Sequence, residues 1–446
     1  MNTPVSTRSD SLSIRTLRLV ALFGLAGTET FFVAIAFLAF SSKGKAALGA
    51  LFFWGDTNIN APQWATGFAI AVFGLFVFLF WLGRRLTWRA LAVSYLAVTP
   101  ILIYMSVDDA ALLRPLTLEE FAPSFPGAET SYAAFMRYGK DHALGREFKD
   151  QLAPLVSPPY DPKTPEIWQK KIVMHRTGIE AYWRTTLAPV WAWWTELDTF
   201  EQIGDLTPGR RDAEIPAFAP IRSLTRNACV IASLQALDGR GDEAIGTLVP
   251  LISVARKLQP SSRTLVRTMI AIVIEKQAII TADFILDHAV ISPESRARLA
   301  AVLAAPGGGE IGARRLIVEE YCFHLASSNG LGLGDLTAVA ASDEHYPWAV
   351  YWSLNALGPL LYNQRSTFNQ YAELTAKLED IVGRRQLDQL DPTATKWIGE
   401  RDAPHFKNFG GSLYLSISVP AYNKVSQSFW DTQDLRAALL VRVRTP

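Results

Sequence analysis

Glu319, Glu320 and His324 are the residue types from which acid–base chemistry is built, and they sit together on one apolar-periodic segment. Four residues apart on a helix, Glu320 and His324 share a face. That spacing supplies two metal ligands, or a carboxylate that orients an imidazole as a general base. No third ligand is identifiable, and His142, His175, His288, His345 and His405 show no paired spacing. Neither a metal nor a cofactor is therefore expected. Arg314 and Arg315, a turn upstream, also make the segment a plain intrahelical salt-bridge network, and this is the preferred account. Glu275 completes the set of acid–base candidates. It lies beside Lys276 and downstream of Arg267 in the run Ser262 to His288, which is apolar almost all round and reads as a central buried helix. Buried charges need partners, and Glu319 or Glu320 is the expected partner of Arg267.

Other motifs carry less. Gly307-Gly308-Gly309-Glu310-Ile311-Gly312 fits G-x-G-x-x-G and opens a helix, but a helix ending at Ala305-Pro306 precedes it. The strand that gives this motif its phosphate-binding meaning is missing. Trp183, Trp191, Trp193 and Trp194 cluster around Pro189. Exposed, they would form an aromatic contact surface for a sugar or a partner; core packing is the default reading. No G-x-S-x-G elbow, P-loop or H-E-x-x-H occurs. Cys229 and Cys322, the two cysteines, each fall in an apolar helical pattern and read as free buried thiols rather than a disulfide framework.

The elements that must position these residues divide the 446-residue chain into three parts. Residues 1–107 read as a membrane domain with three expected transmembrane helices, Leu19 to Phe40, Ala65 to Leu82 and Ala90 to Val107. Each approaches the roughly 20 apolar residues that a bilayer requires. Trp64, Trp81 and Trp88 flank these runs at headgroup level. Ala39-Phe40-Ser41 is a small-x-small site, but the run before it is long for a signal peptide and contains Glu29. Glu29, an intramembrane acid, reads as a neutral carboxyl bonded to hydroxyls of the bundle such as Thr28, Thr30, Ser94 or Thr99. Arg8, Arg15 and Arg18 precede the first span, and Arg84, Arg85 and Arg89 lie between the second and third. The N-terminus is therefore expected in the cytoplasm and the C-terminal domain outside it.

Residues 108–164 read as a Pro-rich linker or packed strap. Residues 165–446 read as an all-helical domain, with apolar residues at three- and four-residue steps over Pro165 to Leu187, Pro220 to Asp238, Asp242 to Leu258, Ser262 to His288, Pro293 to Ala304, Glu310 to Ser327, Trp348 to Tyr362, Thr367 to Arg385 and Tyr422 to Val443. Ser412 to Val419 carries the best, weak, strand pattern. Ala232 to Pro260, with its Gly241-Asp242-Glu243-Ala244 turn and closing proline, resembles a tetratricopeptide-type helical hairpin. The resemblance covers about thirty residues, and no second copy follows at the family's spacing. Its second helix is also longer than the family's, so the resemblance implies hairpin packing only; the helical pattern as a whole gives the expected architecture, an all-α, layered or solenoid-like, hairpin-repeat-like soluble domain.

A formal charge of +1 gives no electrostatic case for nucleic acid. The expected partners are the lipid bilayer and a protein of a bacterial-type cell envelope, bound by the exported helices as a scaffold. The alternative is an envelope enzyme acting on a glycan or peptide, with Glu275, Glu319, Glu320 and His324 as its acid–base residues.

Overall fold

The structure, a computed structural model, describes residues 100, 103–104, 107–141, 164–210, 213, 218–305, 309–328, 362–401, 408, 415 and 422–445. The three expected spans, Glu29 and the arginine clusters lie outside these residues, save for Pro100, Ile103, Tyr104 and Val107 at the end of the third run. Among the described residues no helix is long and apolar enough to cross a membrane. These residues are helical, with no strand. The run Trp348 to Tyr362 lies outside them except for Tyr362, and of the expected strand only Leu415 is described, in a helical conformation and buried.

The chain divides into two compact units, one of Met1–Leu112, Gly330–Phe368 and Ile398–Ser418, the other of Leu113–Asn329, Asn369–Trp397 and Val419–Pro446. In the first, Asp108 caps a helix far along the chain, its carboxylate accepting the backbone N–H of Arg365 at 2.9 Å and of Ser366 at 2.8 Å. An acid at orphan helix N–H groups is stabilising through both hydrogen bonds and the helix dipole. Buried Asn408, at φ +61°, accepts from Asn363 N at 2.8 Å and bonds Thr367 at 3.1 Å, closing a small polar cluster.

The second unit begins inside the expected linker. There the chain forms α1 (Leu118–Phe121) and α2 (Ala128–Asp141), and Leu118, Ala128 and Phe135 are buried. Thr117 and Glu120 build a capping box at the start of α1. Next come α3 (Pro165–Met174), α4 (Arg176–Tyr182), a π turn (Trp183–Leu187) and α5 (Ala188–Thr199). The helical run continues through Pro189. That residue occupies the first turn of α5, where its missing N–H is tolerated, and the widened turn before it absorbs the misfit.

The core is built on α6 (Phe218–Leu237), α7 (Gly241–Leu258) and α8 (Leu265–His288), which pack against one another. The α6–α7 pair is the hairpin expected from the sequence, and its turn has a physical cause. Gly239 stands at φ +75°, its N–H bonds Ala236 O at 2.9 Å, and Arg240 N–H bonds Gln235 O at 2.8 Å. These are the two bonds of a Schellman cap. Helix α9 (Pro293–Ala304) starts on a Ser292 cap, and α10 (Gly309–Ser327) carries the expected acid–base residues. Then follow α11 (Gln364–Gly383), α12 (Leu390–Arg401) and α13 (Tyr422–Arg444). Helix α13 packs on α8, α9 and α10. Arg442 ties it to α8 through Asp283 at 2.5 Å and through Asp287.

Candidate functional site

Helix α8 begins at Leu265 rather than Ser262 because the three residues before it belong to a buried polar cluster. Arg263 N–H donates to Asp205 Oδ2 at 2.8 Å, and Ser262 Oγ donates to Thr264 O at 3.0 Å. Asp205 comes from the irregular chain after α5, where its Oδ1 accepts both the N–H of Thr207, at 3.0 Å, and its hydroxyl, at 2.5 Å.

Arg267, 1 % exposed, faces this loop from the first turn of α8. Its Nη2 donates to Ile203 O at 2.7 Å, and its Nη1 lies 3.6 Å from Asp205 Oδ1. The guanidinium also stands 5.0 Å from the centre of the Phe135 ring. The expected partnership with Glu319 or Glu320 is thus corrected: Asp205 is the ion-pair partner. Burial pushes the Arg267 pKa down and Asp205 opposes that shift.

Glu319 on α10 is fully buried, and both of its oxygens accept from Thr268 Oγ1, at 2.9 and 3.1 Å. Arg315, one turn earlier, spends its guanidinium on the carbonyls of Phe121 at 3.3 Å and Ser262 at 3.2 Å and stacks 4.1 Å over the Phe121 ring. Hydroxyl donors alone do not offset the lost hydration of a carboxylate. Burial therefore raises the Glu319 pKa to about 7, against the opposing pull of Ser262, Arg315 and Thr268.

This cluster joins α1, the loop after α5, α8 and α10 by giving buried carbonyls a cationic donor. It can hold a proton near neutrality. With Arg267 and Glu319 sealed from solvent, it offers no reacting atom to a substrate.

Glu275 occupies a second sealed site on α8, 1 % exposed, between Arg256 of α7 at 3.6 Å and Arg436 of α13 at 3.5 Å, and it accepts from Gln259 Nε2 at 3.1 Å. Lys276, its neighbour, pairs with Asp431 at 3.1 Å. Glu275 and Glu319 are each an internal tie.

Glu320 and His324 do meet. His324 Nε2 lies 3.0 Å from Glu320 Oε1, and both side chains keep about a fifth of their surface, 20 % and 19 %. The imidazole stands edge-on to Tyr371 of α11 at 6.0 Å, and the Tyr371 hydroxyl is 3.1 Å from that of Tyr422 of α13. Burial, reinforced by the charge of Glu320, raises the Tyr422 pKa. Here a carboxylate holds an imidazole that keeps solvent access, beside the buried phenol of Tyr371. Of the four acid–base candidates, the structure brings this pair into contact. Tyr371 and Tyr422 were not legible, since they come from distant helices with no motif.

The tryptophans divide. Trp193 and Trp194 are buried, donating through Nε1 to Ala134 O at 2.8 Å and Pro250 O at 3.2 Å, so they present no face to a ligand. Trp183 and Trp191, part-buried, meet at 5.9 Å on the flank of the core. Both cysteines are free and buried, and burial pushes each thiol up to about 12. Among the described residues no group of three His, Cys, Asp or Glu is placed to hold a metal ion. Compared with models of known protein families, with curated proteins and with solved structures, the chain matches none of them.

Proposed function

We propose that the chain is a membrane-anchored helical interaction module, its N-terminus cytoplasmic and its helical domain outside the cytoplasm, docking a protein partner in a bacterial-type envelope. The anchoring rests on the three apolar runs and their arginine flanks. Ile103 and Tyr104, helical and 57 % and 63 % exposed at the end of the third run, suit lipid contact. The observation that carries the scaffold reading is the burial of Glu275 and Glu319. Two of the four acid–base residues are sealed and committed to holding helices together, which leaves one intrahelical pair for chemistry.

That pair favours the second reading, an envelope enzyme acting on a glycan or peptide, because Glu320 and His324 are in contact and reach solvent. The two readings part in cells carrying Glu320→Gln with His324→Asn and a photo-crosslinker at Ile311 or Val290, which are 84 % and 93 % exposed. A discrete adduct that persists at unchanged abundance, with the cellular phenotype intact, fits the scaffold. A folded, abundant double variant without the phenotype overturns it in favour of the enzyme.

A further inference from the structure

Arg315 and Glu319 stand four residues apart on α10, the spacing at which a helix ordinarily closes an ion pair across one turn. Among the described residues Glu319 forms no such pair. Its hydrogen bonds come from Thr268, while Arg315 donates from Nη1 to the Phe121 carbonyl and from Nη2 to that of Ser262. The buried Nε of Arg315 has no hydrogen-bond partner. Since Phe121 is the last residue of α1, this guanidinium ties the end of α1 to α10. The other groups around Glu319 are already committed. Asp205 accepts from the backbone of Arg263 and Thr207, and Arg267 faces Asp205 and donates to Ile203 O. Arg263 faces Glu119 at 3.6 Å and donates to Thr207 O at 3.5 Å and Ala122 O at 3.4 Å. The Tyr132 hydroxyl is 3.4 Å from that of Thr207, and the Cys322 thiol keeps its proton.

We propose that Arg315 and Glu319 form a proton-operated latch on α1: while Glu319 is neutral Arg315 holds the Phe121 carbonyl, and when Glu319 ionises the guanidinium turns to the carboxylate and lets that carbonyl go. A buried charge needs a partner, and a hydrogen bond between two ionised groups is about twice as strong as one between neutral groups. Arg315 can answer without any backbone movement, because it lies one turn away with an N–H unspent. The contacts in the structure are those of the neutral acid. Burial raises the Glu319 pKa to about 7, so the latch is closed below neutrality and loosens above it. Leu118 is buried and Arg263 still holds Ala122 O, so the end of α1 loosens and the helix does not detach. The device needs neither the membrane anchor nor the docked partner.

The test is amide hydrogen exchange of the full chain at pH 6 and pH 8, with each rate divided by the intrinsic base-catalysed rate at that pH. The amides of Phe121 and Ala122, bonded to Thr117 O and Leu118 O, report opening of α1. The single turn Leu387–Gln389 serves as the reference for local opening elsewhere. Protection at Phe121 and Ala122 is expected to fall about tenfold from pH 6 to pH 8, the change that one proton titrating near 7 allows, while the reference holds constant. Glu319→Gln should keep α1 protected at both pH values, and Arg315→Gln should leave it equally loose at both. Native protection that does not change with pH overturns the latch, whether or not the variants fold. A fall that persists in Glu319→Gln also overturns it, by assigning the proton to another group, as does one that persists in Arg315→Gln, which leaves the arginine no part in it.

Discussion

Arg267 and Glu319 show how the same burial acts on opposite charges. Arg267 keeps its proton because it has Asp205 and the Ile203 carbonyl; removing it leaves an uncompensated carboxylate inside the protein. Breaking a buried pair from one side costs about 3–5 kcal/mol, so Arg267→Ala is expected to lower the denaturant midpoint strongly, whereas the exposed Arg240→Ala, removed from Asp238 and Glu243, should change it by less than about 1 kcal/mol. Among the described residues Glu319 forms no ion pair, the pull of Arg315 falls short of its burial, and its folded pKa of about 7 stands above the ordinary 4.5 of an unfolded glutamate. Below the unfolded value both states hold the proton. Between the two values only the folded state does, so stability falls as pH rises through that window and the loss is complete above about 7. The loss is on the order of 3 kcal/mol by linkage. Urea unfolding from pH 5 to pH 8 should show this decline in the native chain and a flatter profile in Glu319→Gln. Equal slopes would place the titrating group elsewhere.

At the scale of the element, one turn shows what was legible and what was not. The Gly239-Arg240-Gly241 stop between α6 and α7 was evident from glycine alone, but its two glycines have different causes. Gly239 is needed for φ +75°, while a Cβ at Gly241 would stand 2.5 Å from the Val290 carbonyl. Gly239→Ala should therefore cost about 1 kcal/mol, the usual left-handed penalty. Gly241→Ala must move the α8–α9 connection and should cost more, by about 1–3 kcal/mol. Thermal unfolding of the two variants checks that order. Helices α6 to α10 and α13 were readable to within a few residues because their apolar periodicity is long. α1, α5 and α12 were not, since each is short or carries a proline near its start, and proline there caps a helix as readily as it ends one. Of the candidate site, the i, i+4 contact of Glu320 with His324 follows from helix geometry alone. The Asp205–Arg267 pair does not: Asp205 lies in irregular chain, and only packing decides which of several acids reaches a buried arginine.

Across the whole molecule, the sealed Glu275 and Glu319 and the buried Trp193 and Trp194 fit the proposed interaction module. That account requires the helical domain to be carried across the membrane. The arginines between the second and third apolar runs outnumber any basic cluster on the opposite side, and the two acids Asp108 and Asp109 follow the third run. The most direct measurement is a pair of fusions to a reporter enzyme that is active only after export, one joined after Arg85 and one after Val107. Activity after Val107 and none after Arg85 is the predicted result; activity after Arg85 and none after Val107 would put the helical domain in the cytoplasm and contradict the account.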